Sequence, residues 1–285
     1  MLVNFAAMTM SDKIRHKMKF DRRELLGLFA DKVGIRAYVE NLLGSAYLVP
    51  VIAIYDSIER MDLTSLSEDF VLKPSHGSQA GFFFSQAMPV LDREVVIEDI
   101  WSGYQTFHIS ELPKMEELVK ATAARWLTSV FQPGVEWCYS RIQPRLIIEK
   151  RLSEGGLPPA NYKFWVFHGK CYFYRVSSIL LGGPIGYSYE NFAFSRAGDL
   201  IDLRFDWEEP NVMEPPKLPA DIEEMIQVAE KLSGGIDFVR VDLYNVDGQI
   251  LFSELTNYPF AGNFKFIPES FESEISSQWK SFDGY

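Results

Sequence analysis

Asp242 and Glu254 are the residues of this chain best suited to chemistry. They lie in FVRVDLYNV (238–246) and ILFSELTNY (250–258), two apolar stretches joined by Asp247-Gly248, a dipeptide that favours a tight hairpin turn. If the stretches pair as strands, the even separation of the two acids can bring both carboxylates to one face near one end of the hairpin. Two carboxylates in one place repel and need a countercharge to stay ionised. A magnesium ion that keeps some waters and shares nucleotide phosphates is a suitable one. Thr256 or Asn257 offers a further neutral oxygen. Arg240 is two residues before Asp242 and faces the same way. There it either binds phosphate oxygens or forms an ion pair with one of the acids.

Lys73 and Lys163 stand inside apolar stretches, FVLKPS (70–75) and NYKFWVFH (161–168). A buried amine needs a partner. Polyphosphate would supply one for both lysines, while edge-strand solvation or aliphatic snorkelling would explain either alone. The loop His76-Gly77-Ser78-Gln79-Ala80-Gly81 follows Lys73. Its backbone N–H groups could fold over phosphates, although it matches neither GxxxxGK[ST] nor GxGxxG, and an ordinary hairpin loop fits as well. Glu149 and Lys150 end the apolar run 144–152. They could meet the edge or ribose of a nucleotide, or simply be a charged strand end. The four histidines (His16, His76, His108, His168) are scattered and form no metal-ligand set, and Cys138 and Cys171 read as buried free thiols. Serine-hydrolase and HExxH motifs are absent.

The elements that must position these groups follow from periodicity. Residues 21–44 predict two short helices, with Asp21 as a cap and Gly34 at the break. Strands are expected at 47–55, 70–75 and 82–86, the last two forming a hairpin around the loop. An amphipathic helix is expected at 111–130, from Leu112, Met115, Leu118, Val119, Thr122 and Trp126. Strands follow at 145–152, 161–168, 170–179 and 187–196, with a turn at His168-Gly169-Lys170. A proline-rich connector covers 206–219. Helices are expected at 219–233 and 268–280, on either side of the 238–259 hairpin. Short turns between strands argue for antiparallel pairing. The fold class is α+β, with an N-terminal helical segment (1–46), a small lobe (47–105) and a large lobe with the metal site (106–285).

The chain has 285 residues, 47% of them hydrophobic, which is ample for a core. Its net charge of -11 argues against a nucleic-acid partner. No apolar run is long enough for a bilayer span, and the N-terminus lacks a signal-peptide layout. These features predict a cytoplasmic protein without an integral membrane segment.

The ordered set ADKVGIRAYV (30–39), YLVPVIAIYDS (47–57), FVLKPSHGSQAG (70–81), PRLIIEKRL (144–152), NYKFWVFHGK (161–170) and FVRVDLYNVDGQILFSELTNYP (238–259) resembles the ATP-grasp enzymes. The likeness is to the branch similar to the teichuronopeptide biosynthesis protein TupA. The resemblance implies two α+β lobes, with mainly antiparallel sheets, enclosing ATP. It makes Lys73 the small-lobe lysine on the phosphates and His76 to Gly81 (with Gly77 and Ser78) the flap over them. Glu149 and Lys150 fall at the adenine-binding strand end and Lys163 at a basic position facing the phosphates. Arg240 corresponds to the arginine that steadies the transferring phosphoryl group. Asp242 and Glu254 correspond to the magnesium ligands, and Asn257 or Thr256 to the third oxygen.

Three departures stand out. Gln79 and Ala80 replace flap glycines. The second acid reads Glu-Leu-Thr-Asn where Glu-x-Asn is common. The stretch before residue 47 is short for a Rossmann-like domain, so the helices at 21–44, loops or a partner would contribute to substrate binding. The implied activity is an ATP- and Mg2+-dependent, ADP-forming ligation of a carboxylate to an amine or amino acid. The implied substrate is a small molecule or a glycan precursor of the cell surface. A phosphotransferase using the same ATP site and a non-catalytic relative are the alternatives. Oligomeric state is not legible. Arg15, Arg22, Arg36 and Arg204 are candidates for holding an anionic acceptor, or are surface charges.

Overall fold

Apolar periodicity sets the elements and their exposed faces in the computed structural model, which describes residues 4–90, 95–101, 103–132, 134–154, 157–181 and 187–282. The chain begins with three helices, α1 (Met10–Phe20), α2 (Glu24–Ala30) and α3 (Ile35–Leu43), followed by strands β1 (Val51–Tyr55), β2 (Phe70–Pro74), β3 (Ala80–Ser85) and β4 (Gly103–His108). Next come α4 (Leu112–Thr128), β5 (Leu146–Lys150), β6 (Asn161–Phe167), β7 (Lys170–Leu181), β8 (Tyr187–Ser195), β9 (Leu200–Ile201) and β10 (Arg204–Phe205). The chain closes with α5 (Ile222–Leu232), β11 (Phe238–Val246), β12 (Gln249–Thr256), β13 (Phe266–Ile267) and α6 (Glu269–Gln278).

Two sheets face the site. One has five strands in the order β1-β5-β2-β3-β4, and the other has six in the order β12-β11-β6-β7-β8-β9. Every pairing is antiparallel except β3 with β4. In the first sheet, period-2 alternation divides the side chains. Phe70, Leu72, Phe82, Phe84, Leu146 and Ile148 join Val119, Ala123 and Trp126 of α4 in one core. Val71, Lys73, Phe83, Tyr104, Thr106 and Glu149 instead line a cavity. The 3-10 turn Ile109–Glu111 that leads into α4 is fixed by the His108–Glu111 capping box, which satisfies otherwise orphaned N–H groups.

The larger core covers the six-stranded sheet with residues from α1, α2, α3, α5 and α6. Here Trp165 meets Phe173 at 5.2 Å and Phe238 at 5.5 Å between ring centroids. The two hairpin turns expected in this sheet form as two-residue turns with positive φ at both positions. These are His168 (φ 48) with Gly169 (φ 79) and Asp247 (φ 52) with Gly248 (φ 81). That geometry matches the twist of antiparallel strands.

Three expectations need correction. The boundary at 105/106 does not separate the sheets, because β5 pairs with both β1 and β2 and α4 packs on the same sheet. Strand β5 enters the small sheet from beyond α4, past that boundary. Helices α1 to α3 do not form a unit of their own; Met10, Ile14, Leu26, Phe29 and Val39 lie in the core of the large sheet. Asp21 caps no helix with its side chain. It is buried, and it pairs with Lys17 at 3.3 Å and Arg23 at 2.5 Å.

Candidate active site

Strand register builds the site. Glu254 is opposite Asp242, Asp242 is opposite Lys163, and Lys163 is opposite Arg175. Four charged side chains therefore form a row across β12, β11, β6 and β7. Arg240, two residues from Asp242, joins the row from the same face. Its guanidinium donates to both Asp242 carboxylate oxygens at 2.7 Å, and to Glu254 and the Thr256 hydroxyl at 3.0 Å. The bidentate fork is the strong form of such a contact. The ion-pair reading of Arg240 thus describes the protein alone.

Burial governs the charges. It pushes the Asp242 carboxyl up to about 6, against the pull of Arg240. Burial also opposes ionisation of Glu254, but Arg240, Lys32 and Lys73 outweigh it and hold this carboxyl below its ordinary value. Burial pulls both Lys32 and Lys163 down to about 8. Two adjacent carboxylates and a ring of cations suit a magnesium ion that brings phosphate oxygens with it, since such ions take only one or two protein carboxylates. No group of three or more His, Cys, Asp or Glu side chains among the described residues could hold a metal on its own.

Two cavities meet on this row. The first, of about 550 Å³, is lined by Lys73, Glu149, Lys150, Arg36, Lys163 and Glu254, with Val49, Val71, Phe83 and Phe252 as apolar walls. Within it Lys73 pairs with Glu149 at 2.6 Å, and Arg36 pairs with the other Glu149 oxygen at 3.1 Å. Glu149 outweighs the cost of burial for Lys73 and raises its pKa. The second cavity, of about 1070 Å³, is lined by Arg15, Arg175, Arg240, Glu136, Tyr139, Trp207, Tyr258 and Phe260 among others. Lys32, Tyr104, Lys163, Asn191, Phe252, Ser253 and Glu254 border both. A group bound in one cavity can therefore reach a group bound in the other beside Glu254 and Lys163.

Not every expected residue faces the cleft. The His76 ring is buried. Its Nε2 contacts the Ser129 carbonyl at 2.9 Å, and the ring packs edge to face with Trp101, 5.6 Å between centroids. Gly77 has φ 104, and a Cβ there would sit 2.5 Å from the Trp101 ring, so only glycine fits. Ser75, His76 and Gly77 therefore anchor the loop, with Lys32 donating to the Gly77 carbonyl at 2.5 Å. Ser78 and Gln79 at its tip line the second cavity. Gly81 allows the Tyr104 ring to approach, since a Cβ there would meet it at 2.9 Å. Thr256 stands beside Glu254 at 3.1 Å. Asn257 is one residue out of step, and its amide donates to the Leu26 carbonyl at 2.8 Å. Of the two candidates for a third oxygen, Thr256 is the one beside Glu254, while Asn257 lines the second cavity.

Among the arginines proposed for an acceptor, Arg15 reaches the second cavity and Arg36 the first. Arg22 is spent on the carbonyls that end α1, and Arg204 reaches the Glu208 carbonyl.

Sequence reasoning missed Lys32, Tyr104, Arg175, Asn191 and Glu208. Arg175 carried a usable signal, because it is the one charge inside CYFYRVSSI (171–179). It pairs with Glu208 at 2.5 Å, Glu208 accepts from Asn191 at 3.0 Å, and Asn191 accepts from the Ser177 hydroxyl at 2.8 Å. Ser177 in turn accepts a hydrogen bond from Lys163. This chain of contacts links the two cavities.

No curated protein matches the chain. Among solved structures it is similar to the D-alanine–D-alanine ligase of Bacillus anthracis, at 14% identity and a TM-score of 0.45, covering 91% of this chain and 67% of that one. It is also similar to the D-cycloserine synthetase DcsG, at 11% identity and a TM-score of 0.45, with 90% and 69% covered. A third similar structure is the RiPP-associated ATP-grasp ligase of Chryseobacterium gregarium, solved with ADP and a leader and core peptide. It shows 11% identity and a TM-score of 0.45, with 95% and 64% covered. The pattern of the family described as TupA-like ATPgrasp matches residues 12–280. That stretch takes in both sheets and every side chain of the charged row, and the chain belongs to the TupA-like ATP-grasp family.

Proposed function

We propose that the protein is an ATP- and magnesium-dependent ligase that activates a carboxylate and joins it to an amine or amino acid, releasing ADP and phosphate. The observation that carries this reading is the junction of two cavities at Lys32, Lys163 and Glu254. A kinase needs the same nucleotide cavity, but a ligation needs room for two further reactants beside it. The second cavity, about twice the size of the first, supplies that room.

In this reading the first cavity holds the nucleotide. Lys73 approaches from the small sheet, Arg36 from α3 and Lys163 from the large sheet. Asp242 and Glu254 would hold magnesium, assisted by the Thr256 hydroxyl. Bound magnesium–ATP supplies the phosphoryl group that turns a carboxylate into an acyl phosphate, an anhydride that an amine can open. Arg240 then has a second role. With Asp242 and Glu254 engaged by a metal, the Arg240 guanidinium would be free to bind phosphoryl oxygens, and Lys163 and Lys32 would spread the remaining charge. The substrate carboxylate is already ionised at neutral pH, so this half of the reaction needs little base.

Arg15 and Arg175 make the wall of the second cavity suitable for an acid. A uronic-acid-containing precursor of a cell-surface glycan, modified in the cytoplasm, is the substrate class that the family resemblance favours.

The test is a screen of D-glucuronate, other uronic acids and amino acids with ATP, magnesium and hydroxylamine. A ligase of this type yields ADP and a hydroxamate together, and Asp242→Asn lowers both roughly 100-fold or more. Acid-dependent ADP release without hydroxamate would identify a phosphotransferase instead.

A further inference from the structure

The second cavity has charges of opposite sign on different walls. Arg240, Arg175 and Lys163 stand on the sheet, with Glu254 and Glu208 paired among them, and Glu136 stands apart on the segment that follows α4. Among the described residues the Glu136 carboxylate has no hydrogen bond or ion pair, and no cation is near enough to offset its burial. A carboxylate taken from water without a partner is costly. The cost makes sense if a cation arrives with the substrate.

The surroundings of Glu136 suit a cation too. Phe131 and Tyr139 also line this cavity, edge to face at 4.9 Å between centroids. Aromatic faces attract ammonium groups. Tyr258 and Asn257 line it as well, each only 3% exposed. The Tyr258 hydroxyl and the Asn257 carbonyl oxygen are both buried without a hydrogen-bond partner. Buried polar atoms are normally paired, and these two oxygens, like the part-buried Glu136 carboxylate, can accept a hydrogen bond. An ammonium group offers three donors and no acceptor.

Other charged or titratable groups do not already fill the role. Cys138 lies within hydrogen-bonding reach of Asn257 and Tyr258, but burial pushes its thiol up to about 12, so it stays neutral and is only a weak partner for them. Asp21 and Arg22 act on Tyr258 from the end of α1. Tyr139 feels the fields of both Glu136 and Glu254, so the acidic wall lies within electrostatic reach of the nucleotide junction.

We propose that Glu136, with Tyr139 and Tyr258, is the receptor for the protonated amine of the second substrate. This rests on the ligase reading above and names the charge state in which the amine arrives. The receptor also provides a proton acceptor. The ammonium gives one proton to the Glu136 carboxylate, and the freed nitrogen lone pair attacks the acyl carbon. The bond from that carbon to the phosphate oxygen breaks, and phosphate leaves with the electron pair and takes up the second proton that the nitrogen loses as the amide forms.

The test uses ethylammonium chloride as the probe and potassium chloride as the control for ionic strength. Backbone amide resonances of residues 136–139 are followed in the full-length protein at pH 8. Saturable shifts with ethylammonium and none with potassium are expected. Glu136→Gln weakens the apparent affinity roughly tenfold or more, and Glu136→Asp restores part of it. Equal responses to the two salts, or an unchanged affinity in Glu136→Gln, would overturn the proposal. Should Glu136→Gln fail to fold, Glu136→Asp and Tyr139→Phe supply the same comparison, and unaltered affinity in both counts against the site. The ligase reading fails separately. A protein that binds ethylammonium but never yields hydroxamate loses that reading alone, and one that yields hydroxamate but ignores ethylammonium loses only this receptor.

Discussion

Single residues in this cleft carry charges held away from their ordinary equilibria, and the direction of each shift can be tested by stability. Burial pushes the Glu136 carboxyl from 4.5 up to about 7. A folded value above the unfolded one means that the folded state binds more protons between those two limits. Stability is therefore lost as pH rises from about 4.5 to about 7, and the loss stays constant above that. Isosteric Glu136→Gln should be more stable than the wild type at pH 8, by on the order of 3 kcal/mol. The gain should vanish near pH 4. Paired urea titrations at the two pH values check both the sign and the window, and a variant less stable at pH 8 would contradict it.

The charged residues that sequence could identify, Asp242, Glu254, Arg240, Lys73 and Lys163, all stand inside apolar strands, where a charge needs a reason. Lys32 stood in a helix break and Glu136 in an irregular loop. No periodicity marked either as inward-facing, so their roles appear only once the fold brings them to the cavity.

At the scale of elements, the row of charges depends on strand register, and register depends on the turns. Asp247-Gly248 and His168-Gly169 were legible because positive φ at both turn positions restricts the residue choice. The bulge that skips Ser253 opposite β11 was not legible. It places Glu254 directly opposite Asp242, which even spacing alone could not decide. Helix α1 also escaped the sequence reading, because its buried face mixes Met10, Ile14 and Met18 with polar and charged residues. Lys17 is fully buried between Asp237 at 2.8 Å and Asp21 at 3.3 Å, and Arg23 reaches Asp237 at 2.6 Å. Lys13 donates to the Ser276 and Trp279 carbonyls at 2.6 and 2.8 Å, tying α1 to the end of α6. A hydrophobic pattern cannot reveal a helix held by such a network. Removing one partner of a buried ion pair leaves uncompensated charge, so Lys17→Met should cost about 3–5 kcal/mol, measured by urea unfolding. A loss below about 1 kcal/mol, the range of surface pairs, would show that the network contributes little.

For the whole molecule, the two-lobe α+β plan was legible from the order of short strands and helices. The exchange of β5 into the small sheet was not. Pairing between strands far apart in sequence is set by tertiary packing, which no local pattern encodes. That exchange has a functional result. Strand β5 brings Glu149 opposite Val71, next to Lys73, so these walls of the first cavity belong to one sheet. The opposite wall is the charged row of the other sheet. The account therefore requires that nucleotide and metal bind together. The most direct measurement is a calorimetric titration of a non-hydrolysable ATP analogue, with and without magnesium, into the wild type and Asp242→Asn. The wild type should bind one nucleotide and lose roughly tenfold or more of its affinity when magnesium is withheld, while Asp242→Asn should bind weakly in both conditions. Equal affinity for both proteins, insensitive to magnesium, would contradict the assignment of the paired acids.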